Sequence, residues 1–280
     1  MSCCSLEIFA PRSSAGVDEL LRSRLAEFAK RGPKFISVSG TVASGALRIA
    51  EDIQTKYSIR PQLHVQRAGS TAASITVMLD ALLGAGVRDV LLLGGEPGTL
   101  NSLSGGGEFT STAEMVKFIK GRYGDQLKLA VCGFPRGAAG ECGEYAADLQ
   151  ELAKQVAAGA ESIVCLPVFE AHAFGAFVTD LQKAGLTCPV LPGLLPLREA
   201  SEFHRMCRAL HVTPPAWLVD QLSENQAAAA FGDSLFCNLV NELKQLGHRS
   251  PHVYTLNAAS TLSLMDAAGY KPLAHRAALR

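Results

Sequence analysis

The sequence predicts a (β/α)8 TIM barrel, because strand-like and helix-like segments alternate along its whole length. Short apolar segments are separated by amphipathic helical patterns, and parallel strands require helical crossovers of this kind. Eight such units in succession favour a closed barrel. The predicted strands are residues 6–10, 34–40, 62–67, 89–95, 127–134, 162–169, 188–196 and 252–257.

The length and composition of the chain favour a single α/β domain. The chain has 280 residues, of which 48% are hydrophobic, so a large core is available. Barrels of roughly 250 residues commonly form one domain, and we therefore expect one domain over residues 1–280. A doubly wound sheet is the alternative. Its dinucleotide-binding form is disfavoured because no G-x-G-x-x-G motif follows the first strand.

The predicted helices end where helices commonly end. Gly86, Gly159 and Gly185 directly follow helical patterns, and glycine is the usual residue after a helix C-terminus. The stretch 213–247 is long enough for the eighth helix and for an extra helix before strand eight. The chain after Asn257 is predicted to form a loop and a short terminal helix.

The composition disfavours several classes of protein. Lys+Arg and Asp+Glu both number 26, which argues against a general nucleic-acid binder or a protein of anionic membrane surfaces. No apolar run approaches the ~20 residues of a membrane span, and no signal-peptide pattern opens the chain. The eight cysteines include no C-x-x-C pair, which indicates reduced thiols. These features predict a cytoplasmic protein.

An acidic residue in the first strand is the leading catalytic candidate. Successive strand residues face opposite sides, so Glu7 and Phe9 share one face and Leu6 and Ile8 the other. A carboxylate inside a core costs free energy unless it is paired, and desolvation raises its pKa towards the range of a general acid. The alternative is an edge strand with Glu7 in water.

The neighbouring strands also carry polar residues at alternate positions, so that these residues share one face of each strand. Strand two offers Ser37 and Ser39, strand three offers His64 and Gln66, and Glu96 follows strand four. Active sites of such barrels lie at the carboxyl ends of the strands, so these side chains are candidates for one polar site. Each also has an ordinary interpretation: a hydrogen-bonded core histidine, small residues that fit a crowded interior, or a solvated loop acid.

The remaining histidines are not predicted to form a separate metal or catalytic site. The pairs His204 with His211 and His248 with His252 lack further ligands, so we interpret them as structural or exposed. No P-loop, H-E-x-x-H, nucleophile elbow or zinc pattern is present, and no metal site is predicted.

Taken in order, several segments resemble the catalytic barrel of methylenetetrahydrofolate reductases over nearly the whole chain. No single segment is specific, but their order and spacing together are. The segments are SLEIFAPRS (5–13), KFISVSG (34–40), PQLH (61–64), AGVRDVLLLGGEPG (85–98), AVCGFPRG (130–137), ADLQELAKQVAAGA (147–160), CPVLPGLLPL (188–197), PPAW (214–217) and YTLN (254–257).

The resemblance implies a specific reaction. It implies hydride transfer from NADH or NADPH, through FAD at the top of the barrel, to 5,10-methylenetetrahydrofolate, giving 5-methyltetrahydrofolate. It implies that Glu7 is the general acid that helps to open the folate ring, and that Glu96 lies near the pterin. The positions implied to contact the cofactor are Ser39, His64, Phe134, Asp148 and Ala160.

Four positions depart from the family pattern, and the resemblance implies that two or three of them serve the flavin, whereas the glutamine replaced at Leu166 contacts the folate. Gly94, Gln155, Leu166 and Ala258 stand where the family has an arginine, a lysine, a glutamine and an arginine. Each charge-assisted hydrogen bond contributes on the order of 1.5–3 kcal/mol, so we expect FAD to bind weakly or not at all. The pattern is similar to a short, divergent branch of the family in which a nicotinamide delivers hydride directly.

Two other functions stay open. The first is a non-catalytic folate- or pterin-binding or partner subunit that kept the barrel and lost the flavin. The second is a barrel enzyme with an acyl or aldol substrate, which is disfavoured because no Schiff-base lysine stands at a predicted strand end.

Overall fold

The computed structural model describes residues 4–10, 18–40, 45–94, 107–135, 142–197, 199–210, 212–224 and 228–273. In this part of the chain, parallel strands form a closed barrel in sequence order, with the last strand paired to the first. The predicted (β/α)8 TIM barrel is confirmed. Its strands are β1 (Ser5–Phe9), β2 (Phe35–Ser39), β3 (Arg60–Gln66), β4 (Asp89–Leu93), β5 (Lys128–Gly133), β6 (Ser162–Pro167), β7 (Val190–Leu194) and β8 (His252–Tyr254).

Helices connect successive strands and cover the outside of the barrel. Between β7 and β8 the chain forms an extra helix in addition to the expected ones, as predicted from the length of that stretch. A short helix follows β8. The helices are α1 (Asp18–Ala29), α2 (Ala46–Tyr57), α3 (Ala72–Gly84), α4 (Thr112–Tyr123), α5 (Cys142–Ala157), α6 (Ala171–Lys183), α7 (Ala200–Ala209), α8 (Ala216–Glu224), α9 (Ala228–Gln245) and α10 (Ala259–Ala267).

The strands divide their side chains between two environments. Leu6, Ile36 and Leu63 are buried in the main hydrophobic cluster, which also contains residues from the surrounding helices. The residues of opposite parity face the barrel interior, because strand side chains alternate. The register places Glu7 beside Ser37 on β2 and Tyr254 on β8.

The barrel interior has a polar and an apolar half. The polar residues come from β1, β2, β3 and β8, whereas Leu91 and Ala130 stand in register with His64 on β4 and β5. These two residues join Val164 of β6 in a small separate hydrophobic cluster. The apolar half confines the polar chemistry of the interior to the side where β8 closes onto β1.

Cys165, Cys188, Cys207 and Cys237 form no disulfide bond. Burial raises the pKa of Cys207 to about 11, so its thiol stays protonated at neutral pH and is a poor nucleophile. Among the residues that the structure describes, no helix is long and apolar enough to cross a membrane.

Candidate active site

Glu7 lies inside the barrel near the middle of β1. The residue is only 3% exposed, and β1 is hydrogen-bonded on both sides, to β2 and to β8. The edge-strand alternative for Glu7 is therefore wrong, because a closed barrel leaves this strand no free edge.

Two histidines approach the Glu7 carboxylate. His252 Nε2 lies 3.3 Å from Glu7 Oε2, and His64 Nε2 lies 3.6 Å from the same oxygen. The first distance is that of a hydrogen bond, whereas the second brings the imidazole within ion-pair range. These three residues form a group that we call the acid–histidine cluster.

His252 is the member of this cluster that the sequence analysis missed. It is fully buried, and its Nδ1 atom lies 2.9 Å from the Ser5 hydroxyl oxygen. If Ser5 donates to Nδ1, the Nε2–H is left to donate to Glu7. The expectation that His252 is unrelated to a site is thus corrected. The alternation His252–Val253–Tyr254 carried the signal, because it places His252 on the interior face.

His64 is held by a chain of hydrogen bonds across adjacent strands. Its Nε2 atom lies 2.9 Å from Ser37 Oγ, and Ser37 donates to Gln62 Oε1 over 3.0 Å. Because the single hydroxyl proton points to Gln62, the Ser37 oxygen accepts the Nε2–H of His64. Burial lowers the pKa of His64, and the Glu7 charge only partly opposes this shift. His64 is therefore neutral near pH 7 and does not neutralise Glu7.

The segment after β8 fixes the carboxyl end of β1. Thr255 donates its hydroxyl to the Glu7 carbonyl oxygen over 2.6 Å. The Asn257 side chain accepts from the Phe9 amide at 3.1 Å and donates to the Phe9 carbonyl oxygen at 2.8 Å. Asn257 adopts a left-handed backbone with φ of 54°, which aims its amide at β1. This clamp holds the strand on which Glu7 lies.

The predicted cofactor residues are distributed over two cavities. Ser39 and His64 line one of about 270 Å³ near the carboxyl ends of β2 and β3, which we call the β2–β3 cavity. Phe134 and Asp148 line another of about 260 Å³, bordered by the ends of β4 and β5 and by α5, which we call the β4–β5 cavity. The structure thus brings these residues to the carboxyl ends of neighbouring strands, in two groups.

Two other predicted residues do not join these groups. Glu96 lies outside the described residues. Ala160 is buried in the hydrophobic core in the turn between α5 and β6, where its amide donates to the Gln155 carbonyl oxygen at the end of α5. This turn is at the amino end of β6, opposite the end where barrel sites lie, so Ala160 is not brought together with the other cofactor positions.

The positions that depart from the family pattern have specific surroundings. At Gly94 a Cβ atom would lie 2.2 Å from Thr112 Oγ1, so this position has no room for a side chain. Gln155 lines the β4–β5 cavity and donates to Glu151. Leu166 belongs to a second hydrophobic cluster, and Ala258 is the residue before α10.

The β4–β5 cavity contains polar groups that fit part of a nucleotide. Arg67 lines it with a buried guanidinium whose Nε atom has no hydrogen-bond partner. Asp148 adds a partly buried carboxylate, and carboxylates bind ribose hydroxyls in dinucleotide sites. A buried guanidinium with one unpartnered nitrogen and a carboxylate in one cavity are groups of the kind that bind a ribose phosphate.

Fold and site together define a TIM-barrel protein with a buried acid–histidine cluster and polar cavities at the carboxyl ends of its strands. The family model described as methylenetetrahydrofolate reductase matches residues 1–269. The chain therefore belongs to the methylenetetrahydrofolate reductase family, as its resemblance indicated.

Individual relatives agree with the family assignment. Methylenetetrahydrofolate reductase (NADH) 1 of Zea mays is 28% identical over 271 residues, which cover 90% of this chain and 46% of the relative. A probable methylenetetrahydrofolate reductase (NADPH) of Caenorhabditis elegans is 26% identical, over 92% of this chain and 41% of the relative. The chain thus spans about half the length of these relatives. The 5,10-methylenetetrahydrofolate reductase of Pectobacterium carotovorum is 23% identical, over 96% of this chain and 90% of the relative.

A solved structure shares the fold. An uncharacterized protein from Clostridium thermocellum that binds two copies of 5-methyl-5,6,7,8-tetrahydrofolic acid has a TM-score of 0.70. The match covers 94% of this chain and 93% of that one at 12% sequence identity, so it shows the barrel architecture alone.

Proposed function

We propose that this chain is an NADH- or NADPH-dependent reductase that converts 5,10-methylenetetrahydrofolate into 5-methyltetrahydrofolate. The observation that carries the proposal is the acid–histidine cluster, in which Glu7 is 3% exposed between His64 and His252. Family membership supports the substrate. Relatives named as NADH and NADPH enzymes support a nicotinamide donor.

Glu7 is proposed to act as the general acid. The methylene bridge becomes electrophilic when one of its two carbon–nitrogen bonds breaks, and the departing nitrogen then needs a proton. Glu7 supplies that proton, and the iminium carbon left behind accepts a hydride, which the nicotinamide provides when bound. A general acid of this kind typically contributes ~10²–10⁴ in rate.

His64 and His252 determine the charge around the Glu7 side chain and its position. Burial lowers the pKa of His64, so this histidine is neutral at neutral pH and adds no positive charge beside Glu7. His252 fixes the position of the carboxylate through Nε2, and the clamp of Thr255 and Asn257 fixes the strand behind it. Preorganisation of this kind keeps the proton donor within reach of the substrate nitrogen.

The remaining site residues are assigned to binding. Glu96 is proposed to hydrogen-bond the pterin, because a carboxylate accepts from ring N–H groups and rejects analogues that lack them. Ser39, His64, Phe134 and Asp148 are proposed to line the cofactor side, as their places beside the two cavities support.

FAD is proposed to bind weakly or not at all. Gly94 has no room for a cationic side chain, and Gln155 is neutral and hydrogen-bonded to Glu151. Loss of two charge-assisted bonds weakens affinity by several powers of ten, since each ~1.4 kcal/mol is tenfold. The purified protein is expected to be colourless. A stoichiometric flavin absorbance spectrum would reject this part of the proposal.

The reaction is tested by methylenetetrahydrofolate-dependent oxidation of NADH or NADPH. Glu7→Gln keeps the shape of the side chain and removes its proton, so we expect turnover to fall by roughly 10²–10⁴ while folate affinity is kept. Glu202→Gln, on the surface of α7 beside Arg205, is the matched control and should keep full activity.

Three results would contradict the proposal in different ways. Equal turnover in the Glu7→Gln variant and the parent would show that another group is the acid. Folate binding without any nicotinamide oxidation would favour the non-catalytic folate-binding alternative. Absence of both would reject a folate function for this chain.

A further inference from the structure

A third cavity lies at the amino ends of β3, β4 and β5, opposite the carboxyl ends that border the β2–β3 and β4–β5 cavities. Its volume is about 480 Å³, which falls within the range of roughly 300–1,000 Å³ that is usual for small-ligand sites. We call it the amino-end cavity. Its charged lining residues are Arg60, Arg88, Asp89, Asp125 and Lys128. None of them belongs to the acid–histidine cluster, so the reductase site does not explain this group of charges.

The three cations of this cavity come from separate segments of the chain. Arg60 is the first residue of β3, Arg88 directly precedes β4, and Lys128 is the first residue of β5. These strands pair as neighbours, and paired strands lie about 4.8 Å apart, so their amino ends bring the three residues to one edge of the barrel. Like charges around a concave surface repel each other and attract anions into it.

A largely buried carboxylate, that of Asp89, stands between two of these cations. The register places Asp89 beside Lys128, and Arg60 Nη1 lies 3.5 Å from Asp89 Oδ1. The side chain of Asp89 is 16% exposed. Burial raises its pKa, and the charges of Arg60 and Lys128 partly oppose this shift. Glu161 raises the same pKa, but its carboxylate is already paired with Lys120 at 2.6 Å. Asp89 therefore neutralises at most one of the three cations.

Arg88 and Lys128 have no ion-pair partner in the part of the chain that the structure describes. The second acid of the cavity is Asp125, which lies in the short turn between α4 and β5. Three positive and two negative groups leave the amino-end cavity with one positive charge in excess. An anion bound beside Arg88 and Lys128 would relieve their repulsion and complete their hydrogen bonding.

The mixed charges of the lining select the kind of anion. A phosphate monoester carries a charge of about −1.5 to −2 and three acceptor oxygens on one centre, which suits cations that meet from separate strands. The carboxylate of Asp125 is an acceptor, so it favours a ligand that also carries hydroxyl donors. Ile59 and Pro61 add apolar surface to the same cavity, against which a carbon skeleton can pack. A sugar phosphate has all three properties.

We propose that the amino-end cavity binds a sugar phosphate, with its phosphate on Arg88 and Lys128 and its hydroxyl groups towards Asp125. The site is separate from the one where the reduction is proposed to take place, because barrel enzymes carry out their chemistry at the carboxyl ends of the strands. The inference therefore goes beyond the proposed function and does not depend on it.

The experiment measures binding at low ionic strength in a buffer free of phosphate and carboxylate. Ribose 5-phosphate, inorganic phosphate, ribose and citrate are each titrated by calorimetry into the parent, Arg88→Gln and Lys128→Gln. Both variants remove one charge from an exposed residue, and circular dichroism verifies their fold. Lys183→Gln is the matched control, because Lys183 is the last residue of α6 and does not line the cavity. Arg88→Lys keeps the charge that Arg88→Gln removes.

We expect the parent to bind ribose 5-phosphate with a Kd in the micromolar to millimolar range and to bind ribose far more weakly. Arg88→Gln and Lys128→Gln should each weaken the binding of ribose 5-phosphate by roughly 3- to 10-fold, because their cations are exposed to solvent. Lys183→Gln should bind as the parent does, and Arg88→Lys should retain most of the affinity. Added salt should weaken binding in the parent.

Several results would overturn the inference. A parent protein that binds no ribose 5-phosphate at about 10 mM would do so, as would unchanged affinity in both Arg88→Gln and Lys128→Gln. An equal loss in Lys183→Gln would show that net charge alone is measured. Inorganic phosphate that binds as tightly as ribose 5-phosphate would leave an adventitious ion only. Citrate that binds in preference to both phosphates would assign the cavity to carboxylates instead.

A competition experiment separates this cavity from a nucleotide site at the carboxyl ends of the strands. Binding of ribose 5-phosphate should persist in the presence of excess NADH, because the amino-end cavity lies at the other end of the barrel. Complete displacement by NADH would place the sugar phosphate at the reductase site and reject the inference. Loss of reductase activity, or its absence, has no bearing on this measurement, so the two proposals can fail separately.

Discussion

His252 Nε2 lies 3.3 Å from Glu7 Oε2, although 245 residues separate the two positions along the chain. The contact exists because β8 closes the barrel against β1, and both side chains face the interior. It gives the candidate acid Glu7 a fixed neighbour on β8.

His252 is predicted to position Glu7 for proton transfer. His252→Phe keeps a ring of similar size and removes the Nε2–H, so we expect kcat to fall roughly 10- to 100-fold through misplacement of the carboxylate. His252→Gln, whose amide can donate from a similar place, should recover part of the rate. Unchanged kcat in His252→Phe would reject this role.

His64 is predicted to make stability depend on pH. Burial lowers its pKa below the ordinary value of 6.5, so the unfolded chain binds more protons than the folded one between the two values. The free energy of unfolding should therefore rise with pH up to 6.5, and this stabilisation is lost as the pH falls through the folded pKa.

Urea unfolding at a series of pH values measures this effect. The slope of the unfolding free energy against pH should be smaller in His64→Asn than in the parent. The pKa of His248 is also lowered by burial, so His248→Asn is measured in parallel to remove its share of the slope. An unchanged slope in His64→Asn would show that this histidine binds protons equally in both states.

Asn257 is predicted to stabilise the closure of the barrel. Asn257→Ala removes two hydrogen bonds to Phe9 and leaves alanine with a positive φ, so we expect a loss of ~1–3 kcal/mol in the free energy of unfolding. Asn257→Gly removes the same bonds but accepts the backbone conformation. The alanine variant should therefore be the less stable of the two in chemical denaturation. Equal stability of Asn257→Ala and the parent would show that the clamp contributes nothing.

Gly94 is predicted to be intolerant of any side chain because of Thr112. In Gly94→Ala the new Cβ atom would meet Thr112 Oγ1 at 2.2 Å, and overpacking of this kind typically costs ~1–3 kcal/mol. Thr112→Ala removes the clashing oxygen, so the double variant should regain most of that loss. A double-mutant cycle from thermal or urea unfolding measures the coupling. Additive effects of the two substitutions would contradict the contact.

Strand parity predicted much of the acid–histidine cluster because its physical basis is local. A period of two fixes the face of Glu7, Ser37 and His64 once their strands are placed, and closure of the barrel then brings those faces together. The same rule applied to His252, but β8 is a three-residue strand and its histidine was considered only as a metal ligand. The alternation within β8 nevertheless places His252 on the interior face.

Arg67 and Ala160 could not be placed by such a rule. Arg67 is buried because its guanidinium reaches Phe109, 42 residues further along the chain, and nothing in the local sequence encodes that contact. Ala160 was named through the family resemblance, and only the turn between α5 and β6 shows that it is at the other end of the barrel. A contact between distant segments thus decides the place of Arg67, whereas the turn before β6 decides that of Ala160.

The joining of β8 to β1 has a consequence for how the protein matures during synthesis. Ribosomes make β1 well before β8, so a nascent chain has Glu7 in place long before His252, Thr255 and Asn257 exist to surround it. Until then its carboxylate is hydrated and its strand has an unpaired side, open to wrong partners. The surroundings of Glu7 are therefore completed in one late step, when β8 pairs with β1. This step is slow, because contacts of such long sequence separation form slowly. A truncated product that lacks β8 should therefore contain Glu7 but lack the general-acid activity proposed for it.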